Sequence, residues 1–375
     1  MNGGTLRVGR VLGVDIRLDY SWFIIFVLVA WSLAAGYLPQ AHPGWGPVTY
    51  WLMGIATSLL FFVSVLIHEL AHSTVSRLQG VPVHDITLFI FGGASHISGE
   101  PRRPRDEFFM AVVGPLSSLL LAALLGALWW TSLSWEGAFH ATFGWLARIN
   151  LILGLFNLVP GFPLDGGRVL RAIIWRTTGD LKRATRIVAN VGAGVAYLFI
   201  FWGVFQIFSG DWASGLWIAF IGWFLKDAAG QSYQAVALRD VLTGHTAREI
   251  MMTDCPSLPR TLTLDAVVEH VVLPSGRRCF PVEEEGRLYG LLTLHNIRDV
   301  ARERWTTTHV QDVMIPLERV KTARPDEELT AIMERMAEDN VNQLPVMTDG
   351  HLDGIVARDN LLWFLQLRGG SALPK

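Results

Sequence analysis

The sequence predicts a polytopic α-helical membrane protein, with about six transmembrane helices and a small β-rich loop, followed by a soluble α/β tandem module. Three observations carry this expectation. Of 375 residues, 51% are apolar and 17% charged, against roughly 25% charged in a typical soluble protein. The mean hydropathy of +0.35 is high for a soluble enzyme and ordinary for a membrane protein. Polarity is also split along the chain: the last third is rich in Glu, Asp and Arg, so two regions meet different solvents. The net charge of −2 gives no global field toward nucleic acid, and no nucleic-acid partner is expected. Cys255 and Cys279 both fall in the polar third and read as buried thiols in a reducing compartment, not as a disulfide framework.

A hydrocarbon core of about 30 Å needs roughly 20 apolar helical residues. Segments 20–38, 50–67, 108–135 and 187–210 meet that need. Segment 139–164 is largely apolar but interrupted by His140, Arg148, Asn150 and Asn157, and the short segment 212–225 is read as a sixth span. Arg7, Arg10 and Arg17 precede the first run, which is full length and lacks a small-residue cleavage site, so it does not read as a cleavable leader. Basic residues then fall on alternate sides. Arg77, Arg102, Arg103 and Arg105 follow the second span; Arg168, Arg171, Arg176, Lys182, Arg183 and Arg186 follow the fourth; Lys226 and Arg239 follow the sixth. The connection 39–49 has no Lys or Arg, the next outer one has only Glu136, and the last has Asp211. Both termini and the polar module are therefore expected in the cytoplasm of a multi-pass cell-membrane protein.

The second span ends in His68-Glu69-Leu70-Ala71-His72, an H-E-x-x-H pattern. Residues four apart on a helix share a face, so His68 and His72 can reach one metal ion. Glu69 lies close enough to take a proton from a metal-bound water. Ionisable groups at bilayer depth cost about 2.5–3.5 kcal/mol each even on the lenient scale. Three in one apolar helix need a common partner, which a divalent cation supplies. A hydrolytic zinc site takes three protein ligands. Asp165 is the best candidate for the third, in Asn157-Leu-Val-Pro-Gly-Phe-Pro-Leu-Asp165-Gly-Gly, where Pro160, Gly161 and Pro163 break the helix at membrane depth. Capping the next helix, or pairing with Arg168, is the competing role for Asp165. His96 is the alternative nitrogen ligand, and His84 and Asp85 are expected in a surface loop.

The two motifs together resemble the site-2 protease family of intramembrane zinc metalloproteases, over the stretch from residue 1 to about 230. The resemblance implies that His68, His72 and Asp165 bind one Zn2+ per chain and that Glu69 is the catalytic base. It implies that Asn157 orients the substrate or polarises its carbonyl. Phe91-Gly92-Gly93 and Gly114-Pro115 also match family landmarks. The β-rich, then glycine-rich segment 87–97 is suited to holding a substrate extended as an added strand, with Gly92 and Gly93 supporting it. The competing reading is a hairpin with no substrate role.

The polar third repeats at an offset of about 64 residues. Ala247-Arg-Glu-Ile-Met-Met matches Val310-Gln-Asp-Val-Met-Ile, and Phe280-Pro-Val matches Leu344-Pro-Val. Each copy reads as extended segment, helix, strand, turn at Gly286 or Gly350, strand, helix. The repeat resembles a tandem pair of cystathionine-β-synthase-type (CBS) domains, a family that pairs by pseudo-two-fold symmetry and often binds adenine nucleotides. The resemblance puts Thr293, Asn296 and Asn360 at the nucleotide positions. Both acidic positions hold Asn, so a homodimerisation module stands level with a nucleotide sensor. Expected boundaries are 1–235 for the protease domain, 246–305 and 309–370 for the repeats, with a short linker behind the sixth span.

The leading function is hydrolysis of peptide bonds within or near transmembrane segments of other membrane proteins, regulated intramembrane proteolysis. The alternatives are a CBS-regulated transporter or metal-handling protein, and a zinc-dependent scaffold. Polar residues cluster at one depth near one face, which favours catalysis over a transport path.

Overall fold

The computed structural model describes residues 5–90, 92–97, 101, 103–132, 137–339 and 341–369. Phe91, Arg102, Trp135 and Glu136 lie outside the described residues, as does the side chain of His96. The chain divides into two compact units, Met1–Tyr233 and Gln234–Lys375.

Within the first unit, among the described residues, five helices are long and apolar enough to cross a membrane by length and composition. The first, Tyr20–Ala41, comprises α1 (Tyr20–Trp31), a π-helical segment and α2 (Leu38–Ala41). The others are α3 (Pro47–Leu78), α4 (Pro104–Thr131), α5 (Ala138–Asn157) and α7 (Leu181–Phe208). Proline opens α3 and α4, where its missing N–H costs no intrahelical bond. Between α5 and α7 lies the shorter α6 (Asp165–Thr178). Segment 212–225 is the start of a longer helix, α8 (Trp212–Leu242), which is not among the five. The expected linker is thus largely helix: the polar residues from Lys226 onward continue α8 instead of ending it.

The β-rich loop is half of a four-stranded sheet with order β1-β2-β3-β4. β3 (Val83–Phe89) and β4 (Gly92–Ile97) form the expected hairpin, and β2 (Val14–Asp19) pairs parallel to β3. β1 (Thr5–Val11) and β2 form a second hairpin about Leu12-Gly13, both at positive φ. The N-terminal segment expected only as a basic tail is therefore structural. His84 and Asp85 sit on β3, not in a surface loop, and Asp85 pairs with Arg17 at 3.6 Å. Val14, Ile16, Ile86 and Leu88 form the buried face, against Trp22, Phe62 and Val65. β1 and β4 are the edges.

The second unit holds two hairpins, β5 (Cys279–Glu284) with β6 (Arg287–Thr293), and β8 (Gln343–Thr348) with β9 (His351–Ala357). A short β7 (Ile315–Pro316) adds to β6. The repeats exchange their opening segments. Ala247 and Ile250 are buried with Leu329, Ile332, Leu344 and Val356 of the second repeat. Val310 is buried with Leu264, Phe280 and Leu292 of the first. Each opening turn carries a capping box, Thr246 with Glu249 and His309 with Asp312.

Candidate active site

His68 and His72 sit one turn apart on α3, each only 5% exposed. The chain leaves α5 at Asn157 and crosses 158–164, with a cis peptide at Phe162-Pro163, before α6 begins at Asp165. A Cβ on Gly167 would strike the Gly161 backbone, and one on Gly161 would lie 2.6 Å from Gly192 Cα of α7. This backbone-to-backbone packing sets where α6 starts. Leu164 is the residue at the helix cap, so the Asp165 carboxylate is turned to the histidines instead of capping.

Three atoms converge. Asp165 Oδ2 lies 3.1 Å from His68 Nε2 and 3.2 Å from His72 Nε2, and the two Nε2 atoms are 3.2 Å apart. A tetrahedral ion bound at about 2.0–2.2 Å separates its ligand atoms by about 3.3–3.6 Å, so this triangle needs only slight opening to hold zinc. Two imidazoles and a carboxylate are also a zinc donor set. Space for the ion comes from Gly114 on α4: a Cβ there would overlap His72 Nε2 and stand 2.8 Å from His68 Nε2.

The far ring nitrogens are held from α4. His72 Nδ1 donates to the Met110 carbonyl at 2.6 Å, because a carbonyl can only accept. That tautomer leaves the Nε2 lone pair facing the site. His68 Nδ1 is 3.0 Å from Ser118 Oγ. Glu69 is half-buried, and its Oε2 accepts from Ser95 Oγ of β4 at 2.9 Å. A Cβ on Gly93 would overlap Glu69 Cγ. Gly92 takes φ 133°, a backbone that glycine supplies without strain. Asn157 is half-buried at the end of α5, and among the described residues no hydrogen bond joins its amide to the cluster.

Sequence reasoning missed the support around the two histidines. Ser118 and the Met110 carbonyl leave no motif, since a backbone acceptor has no residue signature. Glu107 on α4 is fully buried and accepts from Arg171 Nε of α6 at 2.6 Å. In the sequence Arg171 reads only as a cytoplasmic positive charge. A carboxylate beside an apolar run was the available signal for its partner.

In the second unit a cleft of about 200 Å3 is lined by residues including Cys255, Arg277, Arg278, Gln343 and Asn360. Thr293 and Asn296 do not line it. They serve a capping box of their own, Thr293 N donating to Asn296 Oδ1 at 3.1 Å, while Asn360 Oδ1 accepts from Ala357 N at 3.0 Å. Cys255 and Cys279 are free thiols.

The family model described as peptidase family M50 matches residues 56–135 and 131–201, and the CBS domain model matches 247–303 and 310–366. Rip3 of Mycobacterium tuberculosis, named provisionally as a zinc metalloprotease, is 38% identical over 92% of this chain and 88% of its own. The zinc metalloprotease MJ0392 of Methanocaldococcus jannaschii is 28% identical over 96% and 95%. The site-2 protease structure from that organism aligns with 61% of this chain and 95% of its own, at 26% identity and TM-score 0.43. With a 38% identical relative matched along nearly its whole length, the chain belongs to peptidase family M50, the site-2 type of intramembrane zinc metalloprotease, with a CBS pair behind it.

Proposed function

We propose that His68, His72 and Asp165 hold one zinc ion per chain and that Glu69 is the general base of peptide hydrolysis. The observation that carries this is the convergence of three ligand atoms within 3.1–3.2 Å of one another beside a glycine that leaves the ion its room. Zinc bound there would polarise the scissile carbonyl and bring the pKa of a water toward about 7. Met110 and Ser118 fix the histidine rings, so Nε2 of each faces the site. Glu69 takes the proton of the attacking water and returns it to the leaving amine nitrogen. The free edge of β4 receives the substrate as an added strand, with Gly92 and Gly93 allowing close backbone approach and Asn157 orienting the scissile carbonyl. A helical substrate has that carbonyl bonded within its own turn, so it must be drawn extended before it is cut.

The substrates are transmembrane segments of other membrane proteins, and both termini and the CBS pair face the cytoplasm. Protease domain 1–235 and CBS repeats 246–305 and 309–370 form the functional units. The cleft at Asn360 is smaller than the roughly 300–1,000 Å3 of typical small-molecule sites. With Asn296 and Asn360 both committed to local capping, homodimerisation is the favoured role of the pair over adenine-nucleotide sensing. The central test compares purified wild-type chain with the Glu69→Gln variant on a transmembrane peptide, with zinc measured in both. Cleavage by the variant at the wild-type rate would sink the mechanism.

A further inference from the structure

We infer that Ser95 is the positioning residue for the catalytic base, so that β4, the strand whose edge takes the substrate, also aims Glu69. This rests on the proposed function above. The two oxygens of Glu69 have different surroundings. Oε2 accepts from Ser95 Oγ at 2.9 Å, and Ser73 Oγ in turn donates to Ser95 Oγ at 3.3 Å. Ser73 is buried on the same helix as Glu69. Among the described residues no hydrogen bond reaches Oε1. A Cβ on Gly93 would lie 2.9 Å from Oε1, so the absent side chain leaves that oxygen open. Gly93 and Ser95 are two apart on β4 and share a face, opposite Leu88 and Ile86 of β3.

The strand thus divides the carboxylate. Ser95 anchors Oε2, and Gly93 clears Oε1, the atom that takes the proton from water. A glutamate side chain is otherwise free to rotate about its terminal torsion, and a base turned away from the reacting water loses rate without losing substrate affinity. Because Ser95 and the docking edge belong to one strand, a substrate that straightens or shifts β4 moves the donor that orients the base. Metal-ligand geometry does not enter this division, since among the described residues no hydrogen bond joins Ser95 to His68, His72 or Asp165.

The test uses the full chain with Ser95→Ala, Ser95→Thr and Glu69→Gln, and a quenched fluorescent transmembrane peptide in proteoliposomes. Loss of a hydrogen bond to a charged acceptor predicts a fall in kcat of about ten- to a hundredfold in Ser95→Ala, with KM within about twofold of wild type. Zinc content is unchanged, and Ser95→Thr recovers most of the rate. The second readout needs no turnover. The Glu69 carboxylate band, isolated by infrared difference between metal-free wild type and Glu69→Gln, shifts in Ser95→Ala and returns in Ser95→Thr. An unmoved band, an unchanged kcat, a rise in KM alone, or a rate loss that tracks loss of zinc each overturns the assignment. Equal cleavage by wild type and Glu69→Gln would instead refute the proposed mechanism, while the infrared band would still decide whether Ser95 holds Glu69.

Discussion

Gly114 is as necessary to the proposed metal centre as the three proposed ligands. Its Cβ position overlaps His72 Nε2 and nearly reaches His68 Nε2, so Gly114→Ala puts a methyl where an ion belongs. The expected outcome is a folded chain whose zinc, measured on the purified protein, falls from one per chain to near none. A fully metallated Gly114→Ala protein would show that the ion lies elsewhere. Asp165→Asn should weaken zinc retention without abolishing it, because an amide oxygen is a poorer ligand than a carboxylate. Equilibrium dialysis against a zinc buffer measures that loss, and unchanged retention would return the third-ligand question to His96. At this scale the motif residues were legible because helical spacing and cost at membrane depth both constrain them. The surrounding serines were not, since Ser118 and Ser95 reach the site from α4 and β4, far away in sequence, while Gly93 and Gly114 were marked only by the family likeness.

Among the elements, the buried Glu107–Arg171 pair ties α4 to α6. These are the helices that carry Gly114, Met110 and Ser118 on one side and Asp165 on the other. Arg171 also stands 5.2 Å over the Phe162 ring, at the loop that delivers Asp165. Arg168 Nε also stands 4.0 Å from Glu107, so removing Arg171 weakens the pairing of the buried carboxylate without ending it, at a cost below the about 3–5 kcal/mol of a fully stranded charge. Arg171→Met should therefore lower the melting temperature in detergent and loosen zinc together, whereas Glu107→Gln with Arg171→Met should recover part of the loss. An undiminished melting temperature in the single variant would remove the pair from this role. The long helices were readable from hydropathy alone. β1 and β2 were overlooked because their arginines read as an orientation signal, although Thr5–Val11 and Val14–Asp19 also alternate as strands do. The end of α8 was taken for a linker because polar residues there end an apolar run, and hydropathy does not register a helix that simply continues.

For the whole molecule, the orientation expected from Lys and Arg is measurable with single cysteines. Native thiols interfere little. Burial pushes Cys279 up to about 12 and raises Cys255 as well. At pH 8 a thiol of pKa about 12 is thiolate in about one molecule in ten thousand, and only the thiolate reacts. A cysteine placed in 39–49 should label from outside intact cells, and one at Arg103 should not; the reverse pattern would invert the topology. Calorimetry of ATP against the full chain should show weak binding or none, given the small cleft and the occupied asparagines. Submicromolar affinity would restore the sensor reading. The division into an apolar and a polar region was plain from composition, and the repeat from its own two copies. That the copies trade their opening segments was not, because a repeat in sequence says nothing about which copy each segment completes.

That trade has a consequence for synthesis. The first repeat's core includes Val310, and the second's includes Leu242, Ala247 and Ile250. As the chain leaves the ribosome, the first repeat cannot close until the beginning of the second has emerged, and its own opening turn must wait, unsatisfied, for a strand pair made about a hundred residues later. The two repeats therefore have no separate birth: a chain stopped after Arg304 carries two unfinished cores instead of one finished module.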